Sequence, residues 1–280
     1  MRLVAGAGTP PDPPSTSAHT PDGGTGWAWL ASRGHCKVDH MKSCTALVTG
    51  ATSGIGKEIA RLLIAQGWSV LVGARDTERG AQTARELGGQ LLQLDVTDAA
   101  SIGAAAAAVP ELDVLINNAG ISLDIDDVIT DVDAELFRRT FETNVFGIVA
   151  ATNAFLPALR RSSRPRIVNL SSGTGSLAWS TGPNPQFDFQ AAGSGRGAAY
   201  RSSKTAVNAL TVFYAHALAA DDVKVNALAP GLRATNLNPR AAAAGGDPAE
   251  AAEAALWLAS LPEDGPTGQL FSWDRSPVPW

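Results

Sequence analysis

The sequence predicts an α/β fold, a doubly wound parallel sheet of about seven strands in a single domain with helices on both faces. Three observations predict it. From residue 45 onward, short β-branched runs alternate with longer Ala/Leu-rich amphipathic stretches. Several of the runs ("VLV", "VLI", "RIVNL") are apolar without interruption, as parallel strands covered on both faces are. The first run also opens through a glycine-rich turn into an amphipathic stretch.

Taken in order, the apolar runs place strands at Ala46–Thr49, Ser69–Val72, Leu91–Asp95, Val114–Ile116, Ile167–Leu170, Lys224–Ala227 and Gln269–Phe271. The Ala/Leu-rich stretches between them place helices at Gly54–Gln66, Arg79–Leu87, Ala99–Val109, Asp133–Leu159, Ala198–Ala219 and Pro248–Ala259. At 280 residues, 45% hydrophobic and 18% charged, the chain is long and apolar enough for one large core. Residues 1–40 differ. They are rich in Pro, Gly, Ser and Thr, with "GWAWLA" (Gly26–Ala31) as the one apolar island, and read as a disordered extension. The domain is expected over 41–280, with Met41 as a workable start.

Charge and composition exclude several classes of function. A net charge of −5 and a pI near 5.4, with no basic run, argue against nucleic-acid binding. No apolar run approaches the ~20 residues of a membrane span, and the N-terminus lacks the apolar core of a signal peptide. Two cysteines, Cys36 and Cys44, make no disulfide framework and favour a reducing, cytoplasmic setting. With His35 and His40 they form "HCKVDHMKSC", which matches no zinc spacing, so no metal is expected. The sequon "NLS" at Asn169–Ser171 falls in an expected buried strand and is discounted.

Two stretches carry chemistry. In "VTGATSGIGKEIARLL", Gly50, Gly54 and Gly56 sit in the turn that opens the first helix. Glycine there permits the turn and a close backbone approach to a phosphate, while free N–H groups at the helix start attract the anion. In "GRGAAYRSSKTAVNALTVF", Tyr200 and Lys204 stand at i and i+4, on one helical face and one turn apart. Alone, the pair reads as a packed tyrosine beside a snorkelling lysine.

Six motifs in order change that reading: "TGATSGIG" (Thr49–Gly56), "NNAG" (Asn117–Gly120), "TNVFG" (Thr143–Gly147), "IVNLSS" (Ile167–Ser172), "YRSSK" (Tyr200–Lys204) and "VNALAPG" (Val225–Gly231). Together they resemble the short-chain dehydrogenase/reductase family over about residues 43–272. The resemblance implies a Rossmann-type fold and a catalytic set. Tyr200 is the expected general acid, protonating a carbonyl oxygen as hydride reaches carbon. A free phenol titrates near pH 10, so work near pH 7 asks for a shift of roughly 3 units, about 4 kcal/mol. Lys204 is expected to lower that pKa and to bond the nicotinamide ribose. Ser172 is expected to hold the substrate carbonyl, with Ser171 as its neighbour and competitor. Asn144 is expected to bind a water linking Lys204 to bulk solvent.

For the cofactor, the resemblance assigns Gly50, Ser53, Gly54, Ile55 and Gly56 to the pyrophosphate and nicotinamide side. Asp95 and Val96 fall to the adenine, Asn118 to the adenosine ribose and Thr235 to the carboxamide end. At the end of the second strand, "VLVGARD", an NAD enzyme would place an acid near Ala74. Here Arg75 follows that alanine and suits a 2′-phosphate, favouring NADP(H) over NAD. Two departures stand against it: Ser53 lies where many NADP-preferring relatives carry Lys or Arg, and Asp76 adjoins Arg75.

Ser172 and Tyr200 are 28 positions apart, about twice the family's common gap. The extra segment (173–198) is loop-like and aromatic, with Trp179 near its start, and is expected to wall the substrate pocket. It resembles the monomeric carbonyl reductase branch, favouring a monomer over a homo-oligomer. Only a short Ala/Gly-rich connection separates Thr235 from Pro248, with no long helical lid, which suits bulky or varied ketones, aldehydes or quinones. The expected function is NADPH-dependent reduction of a small-molecule carbonyl. The alternatives are a 3-oxoacyl or hydroxysteroid-type enzyme, or a catalytically silent dinucleotide binder.

Overall fold

The computed structural model describes residues 44–185 and 195–280. The expected N-terminal extension, Met41 and the middle of the segment before Tyr200 lie outside the described residues. Seven strands form one parallel sheet: β1 (Thr45–Thr49), β2 (Ser69–Ala74), β3 (Gln90–Gln93), β4 (Val114–Asn117), β5 (Arg166–Leu170), β6 (Lys224–Ala229) and β7 (Leu270–Ser272). Their spatial order is β3-β2-β1-β4-β5-β6-β7, so the winding reverses between β1 and β4. In open α/β sheets ligands bind outside the strand ends at that reversal.

Alternation along each strand divides the core in two. Ala46 and Val48 of β1 face one layer, with Val114 and Ile116 of β4 beside them. That layer is covered by α1 (Gly54–Ala65), α2 (Thr77–Leu87) and, at residues Pro248–Ala259, the last helix of the fold. Leu47 and Leu115, one position on, face the opposite layer and pack on α3 (Ala99–Ala107) and on a helix ending at Leu159. Phe155 is fully buried there, a side chain whose truncation to alanine costs about 3–5 kcal/mol. A parallel strand covered on both faces thus carries mostly apolar residues, which is why its sequence run is long and largely unbroken.

The single helix expected at Asp133–Leu159 is two helices joined by a wide turn. Helix α4 (Ala134–Phe141) runs into a π-turn at Glu142–Phe146, and α5 (Gly147–Leu159) follows. The Gly147 N–H reaches back to Glu142 O, five residues earlier. One added residue barely disturbs the apolar period, so it leaves no trace in the sequence pattern. Two short helices also escaped the pattern: α6 (Leu177–Thr181) and α8 (Pro239–Ala244), the latter inside the Thr235–Pro248 connection expected to hold no long helix. Between them α7 (Ala198–Ala217) crosses under β5 and β6, and α9 is Pro248–Ala259. The aromatic placed at the start of the expected pocket wall is a core residue instead: Trp179 is buried with Ala227, Ala229, Leu270 and Val278.

Candidate active site

The glycine turn follows β1 directly. Gly50 has φ +64, the left-handed region, and a Cβ on Gly56 would lie 2.4 Å from Asn118 Nδ2 and 2.7 Å from Gly50 O. Only glycine permits that closeness. The Asn118 amide clasps the turn, donating to Thr49 O (2.8 Å) and Gly50 O (3.1 Å). A ribose contact from Asn118 therefore falls to its other polar atoms. Helix α1 starts after Ser53 with no side-chain cap and no acid in its first turn, leaving its N–H groups open to an anion.

A cleft of about 500 Å³ opens over this turn at the β1/β4 reversal. It is lined by all five turn residues expected on the pyrophosphate and nicotinamide side (Gly50, Ser53, Gly54, Ile55 and Gly56) and by Arg75, Asp95, Val96, Asn118, Tyr200, Lys204 and Thr235. Asn144 and Ser172 lie outside this lining. Thr235 presses on the turn from the far wall: a Cβ on Gly54 would be 3.0 Å from Thr235 Cγ2. Asp95 uses Oδ1 to accept from the Thr97 N–H (2.9 Å) and hydroxyl (2.7 Å).

At the end of β2, Asp76 is occupied as the N-cap of α2, accepting from Arg79 N at 3.0 Å. The acid beside Arg75 is thus a helix cap. Arg79, which the sequence reading missed, joins Arg75 in the cleft lining. Its signal was its position at i+4 from Arg75, at a helix start.

At the other end, Lys204 is buried and its Nζ donates to Leu170 O at 2.7 Å. Burial pushes its pKa down from 10.5 to about 8. Its Nζ stands 5.6 Å from the centre of the Tyr200 ring. Tyr200 keeps part of its surface open to the cleft, but burial around the phenol pushes its pKa up to about 12, while a hydrogen bond with Ser172 pulls the other way. The sequence reading expected a downward shift from Lys204. In the structure desolvation is the largest effect and raises the pKa, and the opposing pull comes from Ser172.

The two serines part company. Ser171 turns into α7, its hydroxyl donating to Asn208 Oδ1 (2.5 Å) and Lys204 O (3.2 Å). Ser172 faces the phenol, held by Thr174 Oγ1 at 2.8 Å and Thr174 N at 3.2 Å. Asn144 spends its carboxamide on Ile121, donating to Ile121 O (2.9 Å) and accepting from Ile121 N (2.8 Å), and also donates to Ser203 Oγ (3.0 Å). It still adjoins Lys204, since a Cβ on Gly120 would be 3.3 Å from Asn144 Oδ1 and 3.6 Å from Lys204 Nζ. Sequence reasoning also missed Thr174, and Asp124, which lies against the start of α7; neither has a local pattern to betray it.

No group of three or more His, Cys, Asp or Glu among the described residues is placed to hold a metal, and no described helix is long and apolar enough to cross a membrane.

Comparison with known proteins gives the geometry a context. A family model described as short chain dehydrogenase matches residues 44–184 and 190–244. A galactitol 2-dehydrogenase (L-tagatose-forming) of Cereibacter sphaeroides is 35% identical over 264 residues, covering 87% of this chain and 98% of its own. A solved NADPH-bound carbonyl reductase from chicken fatty liver superposes with a TM-score of 0.70 at 28% identity, covering 86% of this chain and 100% of that one. A 3-ketoacyl-(acyl-carrier-protein) reductase from Brucella melitensis, solved with NADH, gives a TM-score of 0.69 at 26% identity, over 82% of this chain and 96% of that one.

Proposed function

This chain belongs to the short-chain dehydrogenase/reductase family and is an NAD(P)-dependent oxidoreductase acting on CH–OH or carbonyl groups; we propose that it reduces a small-molecule ketone, aldehyde or quinone with NADPH, using Tyr200 as proton donor. The carrying observation is that Tyr200 and Lys204 meet in one cleft with Arg75 and Arg79, while Ser172, just outside the cleft lining, hydrogen-bonds the phenol.

The residues fit a dinucleotide. The uncapped start of α1 and the Gly56 cradle suit its pyrophosphate, and two arginines suit a 2′-phosphate better than a bare ribose. When bound, the reduced nicotinamide supplies the hydride. Ser172 holds the carbonyl oxygen and stabilises charge developing there. Tyr200 gives its phenolic proton to that oxygen. Lys204, fixed by Leu170 O, supplies the positive charge that eases the loss of the proton. The Asn144 amide hydrogens are spent on Ile121 O and Ser203 Oγ, so a water linking Lys204 to solvent would have to donate to an Asn144 oxygen.

Ile121, Leu237 and Pro230 add apolar surface to the cleft, favouring an apolar carbonyl compound over a small polar one. A 3-oxoacyl-type substrate is the second reading, supported by the likeness to the Brucella melitensis enzyme. A monomer in the cytoplasm remains the working form, on the insertion before Tyr200 and the sparse cysteines.

The test is titration of the purified protein with NADPH and NADH, followed by oxidation rates over a panel of apolar ketones, aldehydes, quinones and 3-oxoacyl thioesters. Tighter NADPH binding with turnover of apolar carbonyls is expected. Preference for NADH, or turnover of 3-oxoacyl thioesters alone, would overturn the reading.

A further inference from the structure

Helix α7 carries both Tyr200 and Lys204, yet its own sequence does not cap its start. The N-cap position is Gly197, at φ 68 and ψ 28, in the left-handed region. Glycine has no side chain with which to cap, and no side-chain cap forms from this position. The first intrahelical bond runs from Arg201 N to Gly197 O at 2.9 Å. The N–H groups one and two residues into the helix, those that a cap satisfies, belong to Ala199 and to Tyr200 itself.

Both are met from elsewhere in the chain. Asp124 is fully buried, 75 residues before Ala199, and aims its carboxylate at the helix start. Oδ2 accepts from Ala199 N at 2.6 Å and Oδ1 from Tyr200 N at 3.3 Å. A buried carboxylate is costly unless paired or fully hydrogen-bonded, and the positive end of a helix is one of the few places that suits it. The segment around it latches on to the same turn. Asp127 O accepts from Gly197 N (3.2 Å), Ile129 N donates to Gly195 O (3.0 Å) and the Arg196 guanidinium reaches Asp126 O.

We infer that Asp124 is a positioning residue for the proton donor: by capping α7 at the N–H of Tyr200 it fixes where the phenol stands over the cleft. This rests on the assignment of Tyr200 as the donor. Lys204 has its own anchors, since its Nζ is bound by Leu170 O and its backbone carbonyl by Ser171. Loss of Asp124 therefore frees the first turn of α7, with Tyr200, and leaves the cofactor-facing lysine in place. An error of about 1 Å in a reacting group can slow a reaction by about a hundredfold.

The experiment compares kcat and the NADPH Kd for Asp124→Ala, Asp124→Asn and Tyr200→Phe, all measured well below their melting temperatures. Asp124→Ala is expected to lose about tenfold or more in kcat. Asp124→Asn, near-isosteric and keeping one acceptor oxygen, is expected to lose about threefold, and both should hold NADPH within about twofold of the unmutated protein. If Asp124→Ala yields no folded protein, the asparagine variant decides alone by the same split. Unchanged kcat in either folded variant would overturn the inference, and so would parallel loss of kcat and NADPH affinity, which marks general loosening. Turnover by Tyr200→Phe would remove the donor assignment instead. An inactive Tyr200→Phe beside a fully active Asp124→Ala would remove only the positioning role.

Discussion

Lys204 Nζ donates a 2.7 Å hydrogen bond to the carbonyl oxygen of Leu170, the last residue of β5. That bond ties the first half of α7 to the sheet at the strand end where the cleft opens. It also holds an ammonium in a dry place, where burial brings its pKa to about 8.

This has a consequence for stability against pH. An unfolded lysine keeps its proton to about pH 10.4. Between pH 8 and 10.5 the unfolded chain binds more protons at this residue than the native one, so its contribution to stability rises with pH across that window, by up to about 1.4 kcal/mol per pH unit. Below pH 8 both states are charged and the contribution is flat. Tyr200 acts in the opposite sense: its folded pKa of about 12 makes stability fall from about pH 10 to 12. Urea denaturation at pH 8.0 and 9.5 is expected to find the unmutated protein gaining stability relative to Lys204→Met. Parallel pH curves for the two would contradict the buried-ammonium picture.

Ser172 and Ser171 are adjacent in sequence but opposite in use. Ser172→Ala removes the hydroxyl that meets the phenol, and kcat is expected to fall by about 10²–10³ with little change in melting temperature. Ser171→Ala breaks buried bonds to Asn208 and Lys204, so it is expected to cost about 1–3 kcal/mol of stability and to leave a smaller mark on kcat. Steady-state kinetics beside thermal melts separates the two. A reversed pattern would move the carbonyl-holding role to Ser171.

Arg75 and Arg79 are expected to act together on a 2′-phosphate. Removing either should weaken NADPH by about tenfold or more and NADH by much less, because a charge-assisted hydrogen bond contributes about 1.5–3 kcal/mol. The NADPH affinity of the unmutated protein should also fall more steeply with salt than its NADH affinity. Equal losses for both cofactors in an Arg75→Ala, Arg79→Ala pair would remove the charge argument.

Beneath the cleft a buried polar chain crosses the sheet: Asn117 Nδ2 donates to Thr152 Oγ1 (3.1 Å) and Asn169 Oδ1 (2.9 Å), and Asn169 Nδ2 donates to Thr211 Oγ1 (2.9 Å). Asn169→Ala would take one bond each from Asn117, which keeps Thr152, and from Thr211, which keeps Val207 O, so a loss of about 1–3 kcal/mol is expected, or roughly 3–10 °C in melting temperature. A melt within 2 °C of the unmutated protein would show the chain to be dispensable.

The parts legible in the sequence were those with a short-range signature. All seven strands were readable because strands covered on both faces are predominantly apolar, with a few hydrogen-bonded exceptions such as Asn117 and Asn169, and the Tyr200–Lys204 pair because one helical turn places i and i+4 together. The glycine turn was readable because Gly50 and Gly56 meet constraints that no other residue tolerates. Contacts between distant segments were not. Asp124 sits among acids in "SLDIDD" and looks like a loop residue until folding brings it to α7, and the amide of Asn144, inside the π-turn, meets Ile121 from 23 residues away. The direction of the Tyr200 shift was misread for a related reason: spacing reports a neighbouring charge, but desolvation depends on everything packed around the phenol.

The most direct measurement is a paired one on Tyr200→Phe: NADPH binding by fluorescence titration, and single-turnover NADPH oxidation with the best carbonyl substrate of the unmutated enzyme. The expected result is an NADPH Kd within about threefold of the unmutated protein, together with a rate reduced by about 10³ or more. A variant that binds NADPH normally and still reduces the substrate at a rate within tenfold of the original would contradict the assignment of Tyr200 as proton donor.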